Sequence, residues 1–176
     1  MPENRIINFA ELRPAFAATG GLLLSQVCDI TGVESSTIQN WVKRGWVPSP
    51  KDKRYGEIQV ARILIIDTLR PIMALDKIVA LMSYVNGKVE DRSDDIIPDS
   101  RLYTLIQKGV AQLDERENLL SEDNVKSIVE DVIGDYKGPQ SDSREKLVRA
   151  LRVMLYGYLS SKLKTRAEKE YSKLFD

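Results

Sequence analysis

The stretch LSQVCDITGVESSTIQNWVKRGWVP, residues 24–48, decides how the chain is read. Two helices joined by a tight turn need a small residue where they cross. They also need a residue four positions on that tolerates the turn, and an apolar residue six further on that locks the second helix. Cys28, Gly32 and Ile38 stand at those places. Helices are predicted over 25–31 and 35–43, stopped by Gly45, with Pro48 and Pro50 forbidding continuation. Val27, Ile30, Val33, Ile38 and Trp41 supply the apolar side. Ser35, Ser36, Gln39, Asn40 and Lys43 are left on a face able to enter a nucleic-acid groove. The spacing is that of a helix-turn-helix and points to a binding protein.

Working outward, the arm 1–21 holds an apolar cluster of Ile6, Ile7, Phe9, Leu12 and Phe16, interrupted by Pro14 and closed by Gly20-Gly21. It is expected to pack as a lid or short helix. On the other side a basic turn, 51–56, leads into a helix over 57–69 with an apolar face of Ile58, Ala61, Ile63, Leu64, Ile66 and Leu69. After Arg70-Pro71 a further helix carries Leu75, Ile78, Val79, Leu81, Met82 and Val85 to its end near Asn86-Gly87. These elements complete a small helical head.

Their order resembles the MerR-type winged helix-turn-helix domain of bacterial transcription regulators over residues 22–87. Ser25, Val27, Ile30, Thr31, Gly32 and Val33 match the first helix and turn, and Thr37 and Ile38 match the recognition helix. Gly45, Val47, Pro48 and Pro50 match the exit to the wing. Arg54-Tyr55 look like the wing's arginine and aromatic pair, and the runs from Val60 to Leu64 and from Leu75 to Ile78 like the two helices that follow. The resemblance implies a recognition helix in the major groove and a wing on phosphates, with Lys43, Arg44, Lys53, Arg54 and Tyr55 on the DNA face. Two departures bear on function. Gln39 stands where the family usually has arginine, so base reading differs. The family's long dimer helix is absent or displaced, because 88–95 is polar without apolar period. In this the chain more nearly resembles uncharacterised bacterial proteins that join a MerR-like head to a helical region of unknown function.

Composition narrows the chemistry. With no histidine and one cysteine, the chain lacks the usual general base, the commonest metal ligand and any internal disulfide. No enzyme activity, cofactor or metal is therefore expected. No run approaches the roughly 20 apolar residues needed to span a bilayer, and Glu3 and Arg5 are not followed by an apolar signal region, so a cytoplasmic location without membrane contact is expected. Acids and bases balance at 26 each, yet they fall into blocks, and local patches decide nucleic-acid binding. Residues 43–62 carry a net +4, residues 90–135 a net −8 and residues 137–173 a net +6. The middle block reads as a solvated linker at its start, since its carboxylates lack the spacing of a calcium loop.

Beyond the linker, set at 88–97, a helical region 98–176 is expected to serve oligomerisation or signal input. Leu102, Leu105, Ile106, Val110 and Leu113 line one helix, and Val125, Ile128, Val129, Val132 and Ile133 another. Asp142 and Glu145 have the spacing of a capping box. In the segment they open, Leu147, Leu151, Leu155, Leu159, Leu163, Ala167 and Tyr171 recur every four residues. Such a stripe winds around a 3.6-residue helix, so the helix either bends near Lys164-Thr165 or meets several neighbours.

Several residues have a structural reading beside the functional one. Cys28 is better read as a small packing residue than as a sensor thiol, and Trp41 and Trp46 as core and turn packing rather than ligand stacking. The bases at Arg149, Arg152, Lys162, Lys164 and Arg166 read as a solvated face, paired in part with the acidic block. For the basic turn, its place after a helix-turn-helix favours phosphate contact. Together these readings give an all-α, winged helix-turn-helix DNA-binding protein that regulates transcription. Its candidate contacts are Ser35, Ser36, Thr37, Gln39, Asn40, Lys43, Arg44, Lys51, Lys53, Arg54 and Tyr55. A homodimer assembled through the region after Asp95 is expected, with room for a small-molecule or protein effector. Two alternatives stay open: a helical adaptor that binds protein on the same scaffold, and a small-molecule receptor with an apolar pocket in the helical half.

Overall fold

The computed structural model describes residues 6–116 and 122–175, so the first five residues of the arm lie outside it. Over these residues the protein is helical, with a single two-stranded sheet. A 3₁₀ turn (Phe9–Leu12) runs into α1 (Arg13–Thr19). Strand β1 (Leu22–Leu23) precedes α2 (Leu24–Thr31) and α3 (Ser35–Lys43). Strand β2 (Arg54–Tyr55) is followed by α4 (Glu57–Leu69) and α5 (Leu75–Asn86). The second half is α6 (Asp99–Asp114), α7 (Glu122–Ile133) and α8 (Ser143–Ser172).

Local chemistry sets the first elements. Gly32 closes α2 in the left-handed region at φ +68°, donating its N–H to the Cys28 carbonyl at 2.7 Å. The Thr31 hydroxyl donates to the Val27 carbonyl and accepts from the Val33 N–H, which holds the turn. Gly45, at φ +70°, ends α3, and the next N–H, that of Trp46, reaches back to the Trp41 carbonyl at 2.9 Å. Ile38 and Trp41 point from α3 into the core.

Helix α4 is the centre of the molecule. It is buried on nearly all sides from Val60 to Ile66 and again at Thr68 and Leu69, as expected of a helix apolar all round. Ile58, expected on its apolar face, is instead exposed, and Val60 and Ile65 take core positions. Helix α4 packs on α2 and β2 on one side and on α5, α6 and α8 on the other, while α7 packs on α6 and α8. Gly109 brings α6 against α8; a Cβ there would lie 2.9 and 3.0 Å from the two Leu155 methyls.

This packing decides several expectations, correcting the linker and the capping box and bearing out the packed arm, the winding stripe and the paired charge blocks. Residues 88–97 are no free tether, because Ile96 and Ile97 are buried and Arg92 bonds both Asp95 and Asp99. The arm docks on α6: the Ile7 N–H donates to the Tyr103 hydroxyl at 3.2 Å, and Gln107 bonds the Ile7 and Phe9 backbone. The Phe9 ring lies 5.8 Å from the Tyr103 ring in an edge contact. No capping box forms at α8. Asp142 and Glu145 pair with the bases one turn on, Lys146 and Arg149. Helix α8 runs unbroken for 30 residues, so the four-residue stripe meets α4, α5, α6 and α7 along its buried part and runs into solvent after Ser161. The opposed charge blocks join within the chain, through Arg144–Glu130, Arg152–Glu122 and Lys162–Asp114. These are surface pairs, each worth little. Among the described residues no helix is long and apolar enough to cross a membrane.

Candidate nucleic-acid interface

Helix α3 divides cleanly. Ile38 and Trp41 are buried, Thr37 is half-buried, and Ser35, Ser36, Gln39, Asn40, Lys43 and Arg44 are exposed. The exposed set mixes hydroxyls, amides and two cations at the helix C-terminus, where positive charge is favoured by the helix dipole. Arg44 is held on both sides: its Nε lies 3.4 Å from the Asn40 Oδ1, and its guanidinium carbon lies 5.1 Å from the Trp46 ring centre. Trp46 is therefore a packing platform for Arg44.

The basic turn is a tight hairpin. Lys51 and Arg54 exchange both backbone hydrogen bonds, at 3.1 and 2.8 Å, and the two residues between them, Asp52 and Lys53, have φ of +50° and +61°. Positive φ at both central positions is the signature of a type I′ turn, whose twist matches the strands it joins. Lys51, Asp52 and Lys53 are exposed at its tip. Antiparallel pairing of Leu22 with Tyr55 and Leu23 with Arg54 anchors the hairpin to the residues just before α2.

Two bases of the region are engaged inside the fold, and one expected contact is withdrawn. Arg54 is half-buried and donates from one guanidinium nitrogen to the Gly21 carbonyl at 3.1 Å. Tyr55 is 4% exposed, because the register with Leu22 turns its ring inward; it belongs to the core and not to the contact face. Burial also raises its hydroxyl pKa. Arg62 contributes to the net +4 of 43–62, but it is 1% exposed and pairs with the fully buried Asp99 at 3.2 Å. The sequence carried a signal for this: Arg62 sits inside the apolar run from Val60 to Ile66, and a charge there has to be buried and paired.

Arg62 is the hub of a buried polar cluster. Its Nε donates to the Trp46 carbonyl at 2.6 Å, at the exit from α3. Asp99 accepts from Asn86 Nδ2 at 2.9 Å and from Arg92 at 3.4 Å, and the Asn86 Oδ1 accepts from the Ile97 N–H at 3.3 Å. Four segments meet there: the end of α3, the middle of α4, the end of α5 and the start of α6. No spacing rule points to Asn86 or Asp99.

Cys28 is half-buried against the core, and burial raises its thiol pKa, which suits packing rather than reactivity. Among the described residues no group of histidine, cysteine and carboxylates could hold a metal ion. A cleft of about 320 Å³ between the arm, α6 and α8 is lined by Ile6, Asn8, Gln107, Val110, Asp114 and Tyr158.

The family described as "Domain of unknown function (DUF1836)" matches residues 21–106. That stretch begins at the hairpin's anchor and ends inside α6, so it takes in the whole buried cluster around Arg62 and Asp99. The uncharacterized protein YkrK of Bacillus subtilis (strain 168) is 33% identical over 84 residues, covering 46% of this chain and 36% of its own length. This chain therefore spans about a third of that relative. No solved structure matches.

Proposed function

We propose that the head is a winged helix-turn-helix of the MerR type that binds duplex DNA and regulates transcription. In this reading α3 lies in the major groove and the hairpin tip on the phosphate backbone. The observation that carries it is the pairing of two exposed features on one small scaffold: a helix presenting Ser35, Ser36, Gln39, Asn40, Lys43 and Arg44, and a tight hairpin presenting Lys51 and Lys53. Lysine at a rigid tip suits phosphate contact, and amides on a helix face suit adenine edges. Arg54 supports the hairpin through its hydrogen bond to Gly21.

Fluorescence anisotropy with labelled duplexes at several salt concentrations tests the reading. Binding weakens with salt, and each phosphate contact removed lowers the log–log slope by about 0.9. Lys53→Ala flattens the slope by about that amount on all sequences alike. Replacing Gln39 and Asn40 together costs about 1–3 kcal/mol at one base position and spares non-specific affinity. Binding that is absent, or that ignores salt, refutes the proposal and favours the protein-adaptor alternative.

A further inference from the structure

The last turns of α8 leave the body of the protein. Every described residue from Leu163 onward is exposed, including Leu163 at 43%, Tyr171 at 64%, Leu174 at 73% and Phe175 at 73%. A short helix without a packing partner is marginal in water, and large apolar side chains on it are a cost unless something covers them. On a 100° helical wheel Ser160, Leu163, Ala167, Tyr171 and Leu174 fall within a quarter of the circumference, one seam with spacings of 3, 4, 4 and 3.

The charges beside the seam name the occupant. Lys164 and Glu168 flank it on one side, and Arg166 and Glu170 on the other. All four are exposed; Lys164, Arg166 and Glu168 have no ion pair among the described residues, and Glu170 holds only the surface pair with Lys173. A two-fold axis through Ala167 that sets two such helices antiparallel keeps each flank beside the same flank of the partner. Lys164 of one copy then meets Glu168 of the other, and Arg166 meets Glu170, each pair occurring twice, which outweighs the single Glu168–Glu168 and Arg166–Arg166 approaches across the axis. Parallel pairing would put Lys164 beside Arg166 and Glu168 beside Glu170, both repulsive, against one attractive approach of Glu168 to Arg166 on each flank, and so is disfavoured on balance.

We infer that the exposed end of α8 is a dimer interface, an antiparallel helix pair between two copies of this chain centred on Ala167. The seam from Ser160 to Leu174 spans about 21 Å, with the small Ala167 side chain at the point of closest approach. Leu163 packs on Tyr171 of the other copy and Ser160 on Leu174, and the two bodies lie at opposite ends of the pair. This is a property of the full chain without DNA, so its test and that of DNA binding fail independently.

Sedimentation of the full chain yields a dimer, and Leu163→Glu with Leu174→Glu yields a monomer with unchanged far-UV circular dichroism of the body. Reversing one set of charges, Lys164→Glu with Arg166→Glu, weakens the dimer at least tenfold, and adding Glu168→Lys with Glu170→Lys restores it. In a Cys28→Ala background under mild oxidation with diamide, Ala167→Cys cross-links to itself. Leu163→Cys does not, but it cross-links to a chain carrying Tyr171→Cys. A monomeric parent, a dimer that survives both glutamates, or self-cross-linking of Leu163→Cys overturns the inference.

Discussion

Arg62 shows how much one buried charge can depend on its surroundings. Its pairing with Asp99 is almost wholly out of water, and one guanidinium nitrogen, Nη2, has no hydrogen-bond partner among the described residues. Removing Asp99 would leave an uncompensated cation in the core and strand Asn86 as well. Asp99→Ala should therefore lower stability by about 3–5 kcal/mol in urea unfolding. Arg92, a third exposed, reaches the same carboxylate from the rim, and Arg92→Ala should cost about 1 kcal/mol or less. Equal losses for the two variants would show that Asp99 is not the centre of the cluster. Tyr103 makes a second prediction at this scale. Burial under the arm pushes its hydroxyl from 10.0 up to about 12, despite the Ile7 N–H that it accepts. The neutral form is thus favoured in the folded state. This contribution is fully present below pH 10 and is lost as pH rises toward 12, because the unfolded chain ionises first. The difference is worth on the order of 2–3 kcal/mol. Tyr103→Phe, followed by urea midpoints against pH, should flatten that alkaline decline.

Among the elements, the hairpin 51–54 separates stability from function. Lys53 holds φ +61°, a conformation that costs a side-chain-bearing residue about 1 kcal/mol relative to glycine. Lys53→Gly should leave thermal stability unchanged or raise it by up to that amount, while under the proposed function it weakens duplex DNA binding and flattens the salt slope. A variant that loses stability and affinity together would mean that the hairpin is merely structural. The other elements differ in how legible they were. The limits of α3 and α4 follow from Gly45, from the basic turn and from apolar period. Helix α8 could be seen as a winding stripe, but not as a helix that leaves the body halfway along.

At the scale of the whole molecule, the head and the helical half share α4. Its residues face α2 and β2 on one side and α6 and α8 on the other, and the Arg62 cluster ties the exit of α3 to the start of α6. Unfolding should therefore be a single transition: tryptophan fluorescence, which reports Trp41 and Trp46 in the head, and far-UV circular dichroism, which reports all helices, should give coincident curves. Two separated midpoints would mean that the halves are independent units. The same link offers the helical half a mechanical hold on α3, since displacement of α6 reaches Trp46 through two hydrogen-bonded side chains.

What the sequence determined by itself was local: the α2–α3 pair with its turn, the start and end of α4 and α5, and the exposed polar face of α3. Each depends on caps, glycines, prolines and periodicity within a few residues, and these act whatever the rest of the chain does. Only the tertiary structure decided that Tyr55 and Arg62 face inward, that the arm is bonded to Tyr103 some 96 positions away, and that residues 88–97 are docked. It also decided where α8 loses its cover. Those outcomes depend on which distant surfaces meet, and a spacing of three or four residues carries no record of a neighbour 37 or 96 positions off.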